Sequence, residues 1–572
     1  MIRAVTIRPR FPSLAVAALL ACASESATNG EAASSGSTAS TGAGDTVAPG
    51  ESSGSTVASG EATGSSTDAS SGTTAGTTGP EPTGLRYGDV RQKSAHNSYQ
   101  RDEAPFDQLV YHRIRSVELD IHVGKTFEPT EDGVWYVYHT DVIDDDTWCV
   151  RLGHCLDAVG AFTDAAADHE VLTLWIDLKD DWDAGHGPDE LDDALQAAFG
   201  DALISGPELL VLAGCPEASS VQAGLLDPAC GWPTLEALRG RVLVVLTGAA
   251  SALRVYHDTA GRRAVVAPAA SVLDDAASWP GTAIFNFAAA DVAQAQTYVD
   301  AGFVARVWDC NDAARWDAAV AAGAHHVATD KVNDAIDPWA RTHDDRGWPF
   351  ACRDACDAPA NVDEAAIVGI EVDSGDVWGA ADSAWFLHDD RTAAPDGRWQ
   401  AFVSTANSHV EPFAKGCLMA RASLDPGAPY FAVCRPADDE PLRVQWRADP
   451  GGTSTAIEAA IAADNTLDGP GVVFVRLQAE SGGTCLRGEG SSDGVAWVEI
   501  GARCFDEPLP LQGLSASAHG AGPVRLLFGG VTLDPGGGPG GGAAREPRRV
   551  DDFADSTAIG TAAATLFDGP LP

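Results

Sequence analysis

Positive charge is scarce in this sequence. Lys and Arg number 37 against 82 Asp and Glu, for a formal net charge of −45. Nucleic-acid phosphates are bound by Lys and Arg that displace counterions, so the balance excludes a nucleic-acid partner. It also excludes adsorption to an anionic bilayer through a basic patch. An acidic excess keeps a chain soluble and suits divalent cations; most of it reads as a solvated surface and identifies no substrate. Long apolar runs are missing too, since beyond the N-terminus none approaches the ~20 residues of a spanning helix. The twelve cysteines lack zinc-ribbon spacing, which discounts a metal–thiolate site.

What is present begins at the N-terminus. Arg3, Arg8 and Arg10 precede an apolar run from Phe11 to Ala21, a charged region followed by a segment too short to span, which reads as an export signal. The run ends Leu19-Leu20-Ala21-Cys22, and a small residue before Cys resembles a bacterial lipobox. Residues 1–22 are therefore expected to be a signal peptide with Cys22 lipidated, anchoring the chain to a bacterial envelope; a plainly secreted form is the alternative. Residues 23–84 are almost wholly Ser, Thr, Gly and Ala, cannot bury enough apolar surface to fold, and should form a flexible tether spanning about 45 Å. Exported cysteines suggest disulfides. Close spacing suggests Cys149–Cys155, Cys215–Cys230, Cys352–Cys356, Cys417–Cys434 and Cys485–Cys504, with Cys310 left over, although sequence leaves the connectivity open.

Over residues 85–345, short β-rich runs alternate with Ala-rich amphipathic stretches. Strands are expected at Val90–His96, Ser116–His122, Val134–Thr140, Val171–Lys179, Val242–Thr247, Thr282–Phe287, Val304–Asp309 and His325–Asp330. Helices are expected near Leu156–His169, Glu190–Phe199, Asp291–Ala301 and Ala313–Ala322. Eight strands with helical crossovers in this length predict an α/β fold, a (β/α)8 TIM-type barrel. Residues 362–534 show alternating, aromatic-rich strands between Gly, Asp and Pro turns, which predicts an all-β sandwich. A Gly/Pro-rich linker and tail, 535–572, follows.

The barrel strands end in a particular set of groups. Cleaving a phosphodiester needs charge neutralisation at the phosphoryl oxygens, activation of an attacking hydroxyl and protonation of the leaving oxygen. Hard oxygen ligands for Ca²⁺ and two histidines would supply these. Strand ends carry Ser94-Ala95-His96-Asn97-Ser98-Tyr99, then Glu118-Leu119-Asp120, then Tyr138-His139, then Ile176-Asp177-Leu178-Lys179-Asp180. Glu118 and Asp120, two apart in a strand, share a face.

This ordered set resembles the calcium-dependent phosphatidylinositol-specific phospholipase C family. The stretch from Trp232 to Leu246 and the stretch from Gly302 to Asp330 are similar to later strands of the same family. The resemblance implies that Asn97, Glu118, Asp120 and Asp177 bind Ca²⁺. It implies that His96 stabilises the pentavalent phosphorane, that Glu118 serves as general base and that His139 protonates the departing diacylglycerol oxygen. Lys179, Arg306 and Trp308 are candidates for phosphate and ring contacts. Two departures stand out: Asp177 replaces a frequent Glu, and Val244 to Thr247 carries no lysine, which disfavours polyphosphorylated head groups. The expected enzyme is an exported, monomeric phosphoric diester hydrolase acting on phospholipid at a membrane surface.

Bland readings accompany each residue. A lone strand-end His is usually a satisfied polar group; His112, His122 and His154 are read so. Asp144-Asp145-Asp146 reads as a solvated turn, Lys179 as a partner of Asp177 or Asp180, and Trp308 as core. The C-terminal sandwich is similar to a concanavalin-like jelly roll, in which Trp378 and Trp497 should bury and Asp493-Gly494 should turn a hairpin, with a glycan or surface ligand or a spacer role. Two rival functions remain: a glycerophosphodiester phosphodiesterase-like enzyme, disfavoured because its site begins His-Arg rather than His96-Asn97, and a surface glycan-binding lipoprotein with an inactive barrel.

Overall fold

Strands such as Val242–Gly248 are apolar nearly throughout, the pattern of parallel strands buried on both faces. In the computed structural model the described residues are 84–269, 272–343, 347–353, 367–406, 411–437, 441–459, 473–520, 522–535 and 548–569, all within the compact unit Thr78–Pro572. The expected signal peptide, Cys22, the tether and Cys356 lie outside the described residues.

Eight parallel strands form the barrel: β1 (Val90–Ala95), β2 (Ser116–His122), β3 (Leu172–Leu178), β4 (Val242–Gly248), β5 (Val265–Val266), β6 (Ile284–Ala288), β7 (Val304–Trp308) and β8 (His326–Thr329). Parallel ladders run from β1 through β5 and from β6 through β8, and β8 pairs back onto β1. Between β5 and β6 the wall is carried by Asn286 N–H donating to the Pro268 carbonyl at 3.3 Å.

One expected barrel strand is a correction. Val134–Thr140 yields only Tyr136–Val137, which pairs antiparallel with the end of β2. Its alternating β-formers suit an edge pairing as well as a barrel wall, so the pattern cannot separate the two. The place in the wall belongs instead to two-residue β5, too short to show a period.

Helices such as Leu152–Ala165, Pro188–Phe199, Val292–Asp300 and Ala313–Ala321 pack their apolar faces outside the barrel. Each fully buried Leu, Ile or Phe among them contributes about 1.5–3 kcal/mol. The lower barrel interior is polar rather than purely apolar. Tyr87 hydroxyl lies 2.8 Å from His326 Nε2, and Trp175 Nε1–H donates to Ser116 Oγ at 3.0 Å.

Two seven-stranded antiparallel sheets follow the barrel. The tail belongs to them, which corrects the expected end of the sandwich at 534. Asp555–Ile559 pairs with Ala384–Asp390 at the edge of one sheet, and Ala564–Asp568 pairs with Ile367–Val372 at the edge of the other. Phe553 stacks on buried Trp399 at 5.9 Å, and Arg548 pairs with Asp389 at 2.6 Å. Trp378 is 43% exposed, contrary to expectation, because it stands in the loop after Ile367–Val372 while Val377 takes the buried place. Trp497 is half-buried under Arg476, 3.7 Å from its ring. Asp493 and Gly494 do lie in the connection between two antiparallel strands, with Gly494 at φ +73°.

The disulfides Cys149–Cys155, Cys215–Cys230, Cys417–Cys434 and Cys485–Cys504 are formed, and Cys310 is a buried free thiol whose pKa burial pushes up to about 12. No helix among the described residues is long and apolar enough to cross a membrane.

Candidate active site

The parallel register of β2 with β3 sets Asp120 beside Asp177 and Glu118 beside Trp175. Because side chains alternate along a strand, Glu118 and Asp120 both point into the barrel mouth. The loop leaving β1 brings His96 and Asn97 to the same place, with Asn97 in the left-handed region at φ 47°. Asn tolerates that conformation better than most residues. The result is a cleft of about 660 Å³ lined by His96, Asn97, Glu118, Asp120, His139, Asp177, Lys179, Arg306 and Trp308, together with Thr247 and Asn286. All nine residues singled out in the sequence for catalysis, metal or substrate thus border one cavity.

Each histidine is oriented by an aspartate. His96 Nδ1 is 2.8 Å from Asp330 Oδ1, and His139 Nδ1 is 2.8 Å from Asp144 Oδ2. An ionised carboxylate only accepts, so Nδ1 carries the proton in both rings and Nε2 is left for chemistry. His96 Nε2 lies 3.9 Å from Glu118, and its ring stacks on Trp308 with centroids 5.9 Å apart. Asp330 is itself held by Arg101 at 3.2 Å and by Asn311 Nδ2–H at 2.7 Å. His139 stands on the excursion beyond Tyr136–Val137. His122 Nε2–H donates to the carbonyl of neighbouring Tyr138 at 3.1 Å.

Sequence reasoning missed Asp330 and Asp144 as partners. Asp330 closes the matched run at the end of β8, a position that could have flagged it. Asp144 was read as part of a solvated turn; it is exposed but tied back, since Thr140 and Asp144 exchange backbone hydrogen bonds at 2.9 Å. Trp308 is 36% exposed at the rim rather than core.

The carboxylates are closed on two cations. Glu118 Oε2 meets Arg306 Nη2 at 2.7 Å, while Lys179 Nζ sits 2.8 Å from Asp120 and 2.5 Å from Asp177. Lys179 thus pairs with Asp177, as its bland reading expects, and with Asp120 as well. Arg306 is fully buried and also donates to Asn286 Oδ1 at 3.2 Å.

Charge is distributed unevenly across the cleft. Burial alone would raise the Glu118 pKa, but Arg306 and His96 outweigh it and bring the pKa to about 2. Burial, then the neighbouring Glu118 charge, push Asp120 up to about 7 despite Lys179. Burial pulls His96 down, yet Glu118 and the Asp330 hydrogen bond prevail, so its net shift is upward.

Among the described residues no three acidic, His or Cys side chains converge tightly enough to hold an ion as they stand. The donor chemistry nonetheless fits calcium. Asn97, Glu118, Asp120 and Asp177 offer oxygen only, as a hard cation requires. Asp120 and Asp177 share a single cation, the Lys179 ammonium, which leaves them lone pairs that a hard ion could take.

The raised Asp120 pKa has a measurable consequence. Folded Asp120 keeps a proton that the unfolded chain releases near 3.8. Its contribution to stability is full below that value and is lost as pH rises through about 7; His96, also raised, acts in the same direction. Metal-free protein is expected to melt several degrees lower at pH 8 than at pH 5.5, with calcium or Asp120→Asn shrinking the gap. Calorimetry in chelator that showed the same gap in Asp120→Asn would remove Asp120 as its source.

Residues 125–339 match the family model described as phosphoinositide phospholipase C, Ca2+-dependent. Among solved structures, a calcium-dependent phosphoinositol-specific phospholipase C from Pseudomonas sp. is 22% identical, with 47% of this chain and 96% of that chain covered and a TM-score of 0.40. A Ca2+-dependent phosphatidylinositol-specific phospholipase C from Streptomyces antibioticus is 20% identical, with coverage of 43% and 94% and a TM-score of 0.36. An Oleispira antarctica phosphodiesterase in complex with sn-glycerol-3-phosphate is 15% identical, with coverage of 44% and 98% and a TM-score of 0.27. No curated protein matches the chain.

Proposed function

We propose, from the premise that this barrel is a calcium-dependent phosphodiesterase of the phosphoinositide phospholipase C type, that it cleaves phosphatidylinositol-type lipids to diacylglycerol and a cyclic inositol phosphate. The observation that carries this reading is the pair of Asp-oriented histidines, His96 and His139, on one cleft with the oxygen-bearing side chains of Asn97, Glu118, Asp120 and Asp177. Calcium bound by Asn97, Glu118, Asp120 and Asp177 would supply positive charge at the phosphoryl oxygens and acidify the attacking hydroxyl. Glu118 would take that proton; its lowered pKa makes it a weak base, so the transfer relies on the hydroxyl being acidified first. His96 turns Nε2 toward the phosphoryl group and stabilises its growing negative charge when protonated. His139, on the exposed rim, acts as the imidazolium, giving an Nε2 proton to the departing glycerol oxygen and keeping the Nδ1 proton shared with Asp144. Trp308 stacks outside His96 and offers an apolar face to the inositol ring.

The rim supports a lipid rather than a soluble diester. Phe127 is 95% exposed, Ile143 84% and Val142 64%, and exposed apolar clusters of this kind mark interaction surfaces. Their two loops are tied together, since Thr126 N–H donates to Asp141 at 2.8 Å and Lys125 pairs with Asp145 at 2.6 Å. The double variant Phe127→Ser with Ile143→Ser is expected to weaken sedimentation onto zwitterionic vesicles by about a hundredfold, the loss of two side chains of apolar burial. Turnover of a water-soluble inositol phosphodiester should change little.

Export on the 1–22 leader, lipidation at Cys22 and a tether over 23–84 complete the proposal and would set the barrel beyond an envelope surface. The decisive assay is calcium-dependent release of cyclic inositol phosphate from phosphatidylinositol vesicles, followed by phosphorus NMR. Turnover confined to glycerophosphodiesters would transfer the chain to that chemistry.

A further inference from the structure

Among the contacts between sandwich and barrel is a short helix, Pro105–Val110, which follows the loop bearing His96 and Asn97. Asp107 on this helix is fully buried and receives both guanidinium nitrogens of Arg435, Nη1–H to Oδ1 at 2.7 Å and Nη2–H to Oδ2 at 2.6 Å. Ser404 Oγ–H and Thr405 N–H, also from the sandwich, donate to the same carboxylate at 2.8 and 3.2 Å. Beside it Phe106 meets Phe402 and Phe474 edge-on, at 5.1 and 5.6 Å. A buried, doubly bonded ion pair is a weak source of net stability but fixes geometry, because any other docking angle strands a charge.

The next residue carries that geometry onward. Gln108 Nε2 donates to the carbonyls of Ser98 and Glu103, both at 2.7 Å, and so spans the loop from within. Ser98 Oγ–H donates to the Glu118 carbonyl at 2.7 Å, and Asn97 N–H to the Glu118 carboxylate at 3.1 Å. Hydrogen bonds thus link Arg435 to Asp107, its chain neighbour Gln108 to Ser98, and both Ser98 and Asn97 to Glu118. Asn97 sits in a left-handed conformation, which persists where surrounding structure over-determines it.

We infer that the β-sandwich is a positioning part of the active site: Arg435 and Asp107 lock the helix, and Gln108 holds the His96–Ser98 loop in register with Glu118. This rests on the phosphodiesterase reading for its kinetic consequence but not for its structural one. Neither Arg435, Asp107 nor Gln108 touches the cleft, so all three are positioning residues.

The test uses full-length protein in chelator, with hydrogen exchange of residues 96–101 followed by mass spectrometry. Arg435→Met and Gln108→Leu are each expected to speed exchange there at least tenfold, while β6 and β7 stay protected. Gln108→Leu leaves the domain contact intact, so it reads the loop even where Arg435→Met folds poorly. Arg548→Met, which breaks the Arg548–Asp389 pair elsewhere in the sandwich, controls for general loosening. On substrate, both positioning variants should lower kcat about tenfold with KM within about twofold, the split expected when bound substrate meets misplaced groups. Unchanged exchange at 96–101, or an equal rise in Arg548→Met, overturns the inference. Faster exchange in a protein that cleaves no phosphodiester keeps the positioning and rejects the chemistry.

Discussion

His96→Ala and His139→Ala are each expected to lower kcat on phosphatidylinositol by about 10²–10⁴-fold, the range of a lost general acid or charge-stabilising group. The two losses should differ in kind. His139 stands on the exposed rim with Nε2 free and Nδ1 on Asp144, the placement of a group that protonates a departing oxygen. A substrate whose leaving group needs no proton, such as a nitrophenyl inositol phosphate, should therefore recover most of the His139→Ala loss. His96 lies deeper, between Asp330 at 2.8 Å and Glu118 at 3.9 Å, where it meets charge that develops whatever the leaving group. The same substrate should recover little in His96→Ala. Equal recovery in both variants would undo the division of roles. Asp144→Asn should follow His139→Ala in kind but with a smaller loss, since it frees the ring without removing it.

The reasons these groups could be found in the sequence, and some of their partners could not, are physical. Glu118 and Asp120 betray themselves because two carboxylates on the inward face of an apolar strand are costly without a purpose. His96-Asn97 and Asp177 stand at strand ends, where a barrel concentrates chemistry. What escaped is what depends on long-range geometry. The commitment of Lys179 to Asp120 follows from the β2–β3 register, and the Asp330–His96 bond from closure of β8 on β1. Neither has a local signature. The stretch around Tyr136 has the alternation of a barrel strand and pairs as an edge, while Val265–Val266, two residues long, completes the wall. The tail after Pro535 hid its strands because edge strands such as Asp555–Ile559 carry polar, half-exposed faces, and such segments read as loops until a sheet is there to receive them.

Calcium withdrawal is expected to cut activity on phosphatidylinositol by about 10³-fold or more, since several kcal/mol of charge stabilisation depends on it. Lys179 determines how readily the ion binds. Its ammonium touches both Asp120 and Asp177, and Arg306 covers Glu118, so the metal-free cleft is already internally neutralised. Burial works against the Lys179 charge, but Asp120 and Asp177 more than compensate and raise its pKa. An incoming cation has to take those oxygens from the ammonium, and that competition weakens binding. Lys179→Met removes the competitor and keeps the length of the side chain. It should tighten calcium binding at least tenfold by titration calorimetry, about 1.4 kcal/mol. The metal-free protein should at the same time lose stability at neutral pH, because two adjacent carboxylates are left with no shared counter-charge. Calcium should then raise the melting temperature of Lys179→Met more than that of the unaltered chain, the linkage expected when tighter binding acts on the folded state alone. Weaker binding in Lys179→Met would show instead that the ammonium stays at the site beside the ion and helps to hold Asp120 and Asp177 in place for it.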